Sequence, residues 1–326
     1  MKFFERFFLV AFFFSISALS AAEDRLGGFA AKFPAVTMTR TSVAGMDGYE
    51  VNTFPDGQRN RNHWDTRGGA HIQYLVLHYT VCDAPATINL FTKDIPEGRV
   101  SAHYVITETE DGVVAGVPIR IVPETERAWH AGISFWRGTR NLNATSIGIE
   151  HVNKGFEEEG GKITKWYPFD ETQITTSGNL CRAIVACHDI RPQNVVAHGD
   201  IAPGRKHDPG ILFPWERLYK EFGVGAWLAD DERTPEAIYE KYAPKARLPD
   251  EADPLFFLSC LARYGYPLSD LDSLTTENTR GVTQSFRAHF SKNQRPADYK
   301  AEVDYEDMFW AWALDAKYAA HSPACL

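Results

Sequence analysis

The period of the hydrophobic pattern changes several times along the chain, and each change marks an element. Residues 72–79, IQYLVLHY, form a short apolar run rich in branched and aromatic side chains, which predicts a buried central strand with His78 near its C-terminal end. Asp83, Ala84 and Pro85 then give a helix-start signal, because Asp caps free amides and Pro tolerates the first turn, so a helix is expected to about Lys93. SAHYVI (101–106) and VVAGV (113–117) read as two strands joined by a hairpin at Asp111 and Gly112. SIGIEHV (146–152) alternates with the strand period, which sends Glu150 and His151 to opposite faces. Asp170 and Gln173 resemble a capping box, and Ile174, Cys181, Ile184, Val185 and His188 recur at helical spacing until Arg191 and Pro192. NVVAH (194–198) is a further short buried strand, and residues 199–210, GDIAPGRKHDPG, hold too much Gly and Pro for anything but a shaped loop.

On a larger scale the pattern divides the chain. Lys2 and Arg6 precede the apolar run 7–19, which ends in Ser20, Ala21 and Ala22, so residues 1–22 read as a secretory signal peptide. The run is shorter than the ~20 residues a membrane span needs. No cysteine follows the cleavage sites to receive a lipid, and a soluble periplasmic or extracellular protein is expected. Residues 23–70 show little periodicity and are expected to be irregular; 71–224 carry the strand and helix alternation of an α/β domain. Residues 225–250, rich in prolines and charges, read as a linker with the boundary near residue 245. Three amphipathic segments within 251–326 predict a small all-helical domain.

Composition narrows the partners. The formal charge of −9 becomes −10 once Lys2, Arg6 and Glu5 leave with the leader, which argues against nucleic acid. The five cysteines (Cys82, Cys181, Cys187, Cys260, Cys325) suit an oxidising compartment, allow one or two disulfides, and have no thiolate-metal spacing.

Candidate chemistry collects where strands end. His78 closes one strand, His198 another, and His207 and Asp208 follow in the loop. Two imidazoles and a carboxylate around an open position form a hydrolytic zinc set, since the metal keeps room for a water it can acidify. Spacing alone leaves His207 and Asp208 as rivals for the third place.

Together, VLHYT, SAHY, RAWHAG, SIGIE and VVAHGDIAPGRKHDPG resemble, in order and spacing over residues 72–220, the zinc N-acetylmuramoyl-L-alanine amidases of the amidase-2 and peptidoglycan-recognition superfamily. The tail with SFRAHF is similar to the peptidoglycan-binding-like helical domain of AmiD-type members. The resemblance implies a mixed central β-sheet flanked by helices, with Zn2+ at the floor of a cleft held by His78, His198 and Asp208, His207 taking a variable position. It implies cleavage of the amide between N-acetylmuramic acid and L-alanine in peptidoglycan, and in anhydro-muropeptides also.

Within that frame, Glu150 could orient water and take its proton, most effectively if burial raises its pKa. Lys206, two residues before Asp208, could reach the developing oxyanion. Trp129 and His130 could present a flat face and a polar tip to sugar and peptide, and Arg140 (or Arg137) with Asn143 could meet stem-peptide carboxylates. His103 and His151 are expected to be structural. The rival reading is a non-catalytic peptidoglycan-recognition protein on the same fold, which a replaced ligand would betray; here every ligand position and Glu150 hold competent residues.

Overall fold

The computed structural model describes residues 39–42, 50–53, 63–92, 99–109, 116, 118–268, 276–290 and 302–318. The leader, most of the hairpin at 111–117 and Cys325 lie outside them. In chain order the first elements are β1 (Thr39–Ser42), β2 (Glu50–Thr53), β3 (Trp64–Thr66), β4 (Tyr74–Tyr79), α1 (Ala84–Thr92), β5 (Tyr104–Ile106) and β6 (Pro118–Arg120). The short strands β7 (Glu126–Ala128), β8 (Phe135–Trp136) and β9 (Thr139–Arg140) lead to β10 (Ser146–His151), and β11 (Phe156–Glu159) and β12 (Lys162–Trp166) form a hairpin. α2 (Glu171–His188), β13 (Val195–Ala197), the single turn α3 (His198–Ile201), α4 (Trp215–Phe222), α5 (Pro235–Tyr242), α6 (Pro254–Tyr264), α7 (Thr276–Phe290) and α8 (Tyr305–Tyr318) complete the described chain.

Seven strands form one mixed sheet in the order β1-β2-β6-β5-β10-β4-β13. At its centre β5, β10, β4 and β13 run parallel, and Leu75, Val76, Leu77, Ile147, Ile149, Val195 and Val196 are buried, the burial on both faces that parallel sheets require. The expected mixed sheet flanked by helices is therefore the observed fold. The segment expected to be irregular departs from the expectation: β1 and β2 extend the sheet, and β3 pairs with β7. The strand expected at 113–117 falls largely outside the described residues; β5 pairs antiparallel with Pro118–Arg120.

Caps set two helix starts. Asp83 Oδ1 accepts the Ala86 N–H at 2.7 Å, and Asp170 Oδ1 accepts that of Thr172 at 2.7 Å. The capping box at Asp170 is only half made, because the Gln173 amide donates instead to the carbonyls of Ile106 (3.0 Å) and Val152 (2.9 Å). Gln173 thereby ties α2 to the sheet.

Residues 225–250 are packed, unlike a linker. Trp227, Leu228, Ile238 and Leu248 belong to the same buried cluster as Leu75 of β4, Phe257 of α6 and Trp312 of α8. Lys317 donates to the Trp227 carbonyl at 2.9 Å and Glu232 Oε2 at 2.7 Å. The helical tail continues the core of the sheet domain. Cys82, Cys181, Cys187 and Cys260 are free thiols, and among the described residues no helix is long and apolar enough to cross a membrane.

Candidate metal centre

Three segments converge beside the C-terminal edge of the parallel strands. β4 carries His78 next to its end, and β13 runs directly into α3, so that His198 opens the turn. The following loop folds back until the Asp208 carbonyl accepts the Gly199 N–H at 3.0 Å. His78 Nδ1 lies 3.0 Å from His198 Nδ1 and 2.9 Å from Asp208 Oδ2, and His198 Nδ1 lies 3.0 Å from that same oxygen. All three side chains are buried, and together they could hold a metal ion.

The donor chemistry fits zinc. Tetrahedral ligation at about 2.0–2.1 Å separates donor atoms by roughly 3.3 Å, close to the observed triangle. Burial and the adjacent His198, partly offset by Asp208, push the His78 imidazole down to about 4. Burial would raise Asp208, yet His198 and His78 hold its carboxyl well below the usual carboxylate range. A neutral imidazole and an ionised carboxylate are the forms that bind a cation. His207 turns away from this triangle: its ring meets Phe156 edge-on at 5.8 Å, and burial lowers its pKa.

Behind the triangle, one loop serves both imidazoles. His198 Nε2 donates to the Ala131 carbonyl at 3.3 Å, and His78 Nε2 lies 3.0 Å from His130 Nδ1. Asn143 Oδ1 accepts the N–H groups of His130 (3.1 Å) and Ala131 (2.7 Å) and so fixes both positions. The His130 ring lies against Gly148 of β10, where a Cβ would come within 2.5 Å of it. Burial, then His78 and His103, push His130 well below the usual imidazole range.

In front, the parallel register pairs Glu150 with His78, which puts both side chains on one face of the sheet. The residue as a whole keeps some exposure, but Glu150 Oε2 is shut from solvent and has no hydrogen-bond partner. Burial raises its carboxyl well above the usual range; the Asp208 charge adds to this and Lys206 opposes it. The half-buried Lys206 also lowers His78, so its ammonium lies within electrostatic reach of both.

The expected substrate contacts divide. His130 and Asn143 face into the framework just described, and Trp129 Nε1 donates to Asp65 at 3.1 Å. Arg140 is exposed, 5.5 Å over the Phe135 ring. Arg137 turns to the tail, its N–H donating to the Gly265 carbonyl at 3.0 Å and its guanidinium to that of Tyr264. His103 bonds Arg67 at 2.7 Å and accepts the Gly148 N–H at 3.0 Å, while His151 joins the His78 carbonyl at 2.8 Å and Ser177 at 2.7 Å. Both are structural, as expected.

Sequence reasoning missed Ser146 and the Ala131 carbonyl, and also Asp200, which accepts from Tyr266 and His289 of the tail at 2.6 Å each. Ser146 carried a usable signal: the strand period that turns Glu150 toward the site puts Gly148 and Ser146 on the same face. Asp200 had none, since its partners lie 66 and 89 residues away.

Comparison with known proteins gives the family. Residues 68–211 match the family described as N-acetylmuramoyl-L-alanine amidase. The chain is 40% identical over 261 residues to N-acetylmuramoyl-L-alanine amidase AmiD of Escherichia coli, covering 78% of this chain and 88% of that protein. It is 37% identical over 128 residues to the 1,6-anhydro-N-acetylmuramyl-L-alanine amidase AmpD of the same organism, covering 39% and 61%. The structure of E. coli AmiD with anhydro-N-acetylmuramic acid-L-Ala-D-gamma-Glu-L-Lys superposes with a TM-score of 0.61 at 37% identity, over 84% of this chain and 96% of that one. AmpDh3 of Pseudomonas aeruginosa with anhydromuramic pentapeptide gives 0.62 at 33% identity, over 81% and 97%.

Proposed function

The chain belongs to the N-acetylmuramoyl-L-alanine amidase family, and from that premise we propose that it hydrolyses the amide joining N-acetylmuramic acid to the L-alanine of the peptidoglycan stem peptide, with zinc held by His78, His198 and Asp208. The observation that carries this reading is the buried triangle of donors with the partnerless Glu150 carboxylate oxygen on the same face. When bound there, zinc supplies Lewis acidity toward a carbonyl oxygen and makes water a usable nucleophile at neutral pH.

The chain's own groups do the rest. Glu150 takes the proton of the attacking water at its carboxylate, a task suited to a base whose pKa burial has raised. It then passes that proton to the departing L-alanine nitrogen. The Lys206 ammonium offsets the charge that grows on the scissile carbonyl oxygen. Ala131 and His130 hold the two imidazoles in place meanwhile.

The substrate class follows the relatives: AmiD and AmpDh3 were each solved with an anhydromuramic peptide, and we extend those fragments, together with intact wall, to this enzyme. The charged n-region and apolar run of residues 1–22 support export to the periplasm or beyond. Incubating purified protein with a defined muropeptide, with and without a chelator, and weighing the products tests the proposal. Release of intact stem peptide, lost with chelator and restored by zinc, is expected; a substrate left whole under all conditions overturns it.

A further inference from the structure

The imidazole behind His78 is itself held by a residue whose proton has a defined place to go. Ser146 Oγ lies 2.7 Å from the Leu142 carbonyl and 3.1 Å from His130 Nε2. A carbonyl oxygen only accepts, and a serine hydroxyl has one proton. The shorter contact takes that proton, so toward His130 the Ser146 oxygen is left as an acceptor. His130 Nε2 therefore carries hydrogen. The ring's two partners are a hydroxyl and an imidazole, neither negatively charged, so the buried ring is neutral and its Nδ1 is a bare lone pair. Facing that lone pair at 3.0 Å, His78 Nε2 is the donor, and the His78 Nδ1 lone pair is left pointing at His198 and Asp208.

We infer that Leu142, Ser146 and His130 form a directed hydrogen-bond relay that selects the metal-binding tautomer of His78, which makes His130 and Ser146 positioning residues for the metal centre. The inference rests on the reading of His78 as a metal ligand. In the opposite setting, with Ser146 donating to His130 and His130 Nδ1 donating to His78, the hydrogen on His78 would point at Asp208 and close the site to a cation. The Leu142 carbonyl biases the relay against that setting. The relay also explains why β10 carries glycine at 148: only without a Cβ can the His130 ring lie between Ser146 and His78.

His198 needs no such device, because the Ala131 carbonyl can only accept and so fixes its tautomer directly. The relay does for His78 what a carbonyl does for His198, and both depend on the backbone that Asn143 braces.

Long-range proton–nitrogen correlation NMR on the zinc-loaded full chain tests this, since it assigns the hydrogen of each imidazole. His78 and His130 should both carry hydrogen on Nε2; hydrogen on His130 Nδ1 overturns the relay. In chelator competition, His130→Leu should bind zinc about 10–100-fold more weakly, the range for lost outer partners of a ligand. His130→Asn, whose amide oxygen can accept from His78 Nε2, should recover most of that loss, and Ser146→Ala should weaken zinc about 10-fold. Wild-type affinity in both His130→Leu and Ser146→Ala would overturn the inference while leaving the metal reading intact. If His130→Leu does not fold, the NMR assignment and Ser146→Ala carry the test. A wild-type chain that binds no zinc would overturn the metal reading and the relay together.

Discussion

At the scale of single residues, the site separates groups by the charge each environment favours. Asp208 is held ionised between two imidazoles, while Glu150, on the sheet face that carries His78, is pushed toward its protonated form by burial and by the Asp208 charge. Two carboxylates driven apart in this way suit the division of labour proposed for them, Asp208 as ligand and Glu150 as base. Glu150→Gln should keep zinc and lower kcat by about 10²–10⁴-fold, the range for a lost general base. Zinc content and turnover of the purified variant measure the two halves of that statement. As the proposed base Glu150 would act ionised, so kcat should rise with pH through its raised pKa and fall on the acid side. Lys206 opposes that rise in pKa. Lys206→Met should therefore move the acid limb to higher pH as well as slow turnover. A kcat–pH profile whose acid limb stays in place would separate Lys206 from Glu150.

At the scale of elements, β10 holds the site together because its alternation serves two sides at once. Ser146, Gly148 and Glu150 share the face turned to His130 and His78, while Ile147, Ile149 and His151 fill the other. Gly148→Ala should be the most damaging small substitution in this strand, because the added methyl would meet the His130 ring at 2.5 Å with no rotamer to relieve it. The expected result is a folded protein, destabilised by about 1–3 kcal/mol, with weakened zinc binding. Calorimetry and chelator competition on the same sample check it. Elements of this kind were legible in the sequence: the runs at β4, β10 and β13 are branched, apolar and bounded, and they put His78, Glu150 and His198 where they stand. What stayed hidden has physical reasons. β1 to β3 are strands of three or four residues in which two-residue periodicity cannot accumulate. The two-turn α5 is too short to show a stripe. His207 and Asp208 stay rivals in the sequence because the path of a loop, not a period, decides which of two neighbours faces inward. An aromatic side chain with a polar tip looks alike in sequence whether it faces a ligand, a carboxylate as Trp129 does, or a neighbouring imidazole as His130 does, and a loop asparagine such as Asn143 gives no sign that it braces backbone.

At the scale of the molecule, the helical tail is built onto the loop that carries Asp208. α7 brings Gly281 against the backbone of Gly204, where a Cβ would stand 2.8 Å from the Gly204 nitrogen, and its Ser285 lies near Gly199. Further along the same helix, His289 donates to Asp200 Oδ2, while Tyr266 donates to Oδ1; Asp200, fully buried, accepts the Ala197 N–H at 2.8 Å and so shapes the turn that presents His198. A carboxylate with no exposure depends on all its donors. Tyr266→Phe leaves Oδ1 short of one and should cost about 1–3 kcal/mol, while disturbing zinc binding from a residue of the tail. Because one apolar cluster runs from Leu75 through Trp227 to Phe257 and Trp312, tail and sheet domain should also melt as a unit. Differential scanning calorimetry of the full chain should give a single transition, and Phe257→Ala, which removes a fully buried ring, should destabilise the chain by about 3–5 kcal/mol and move that transition to lower temperature without splitting it. Two resolved transitions, with zinc moving only one of them, would mean that the tail is a separate module that merely rests against that loop.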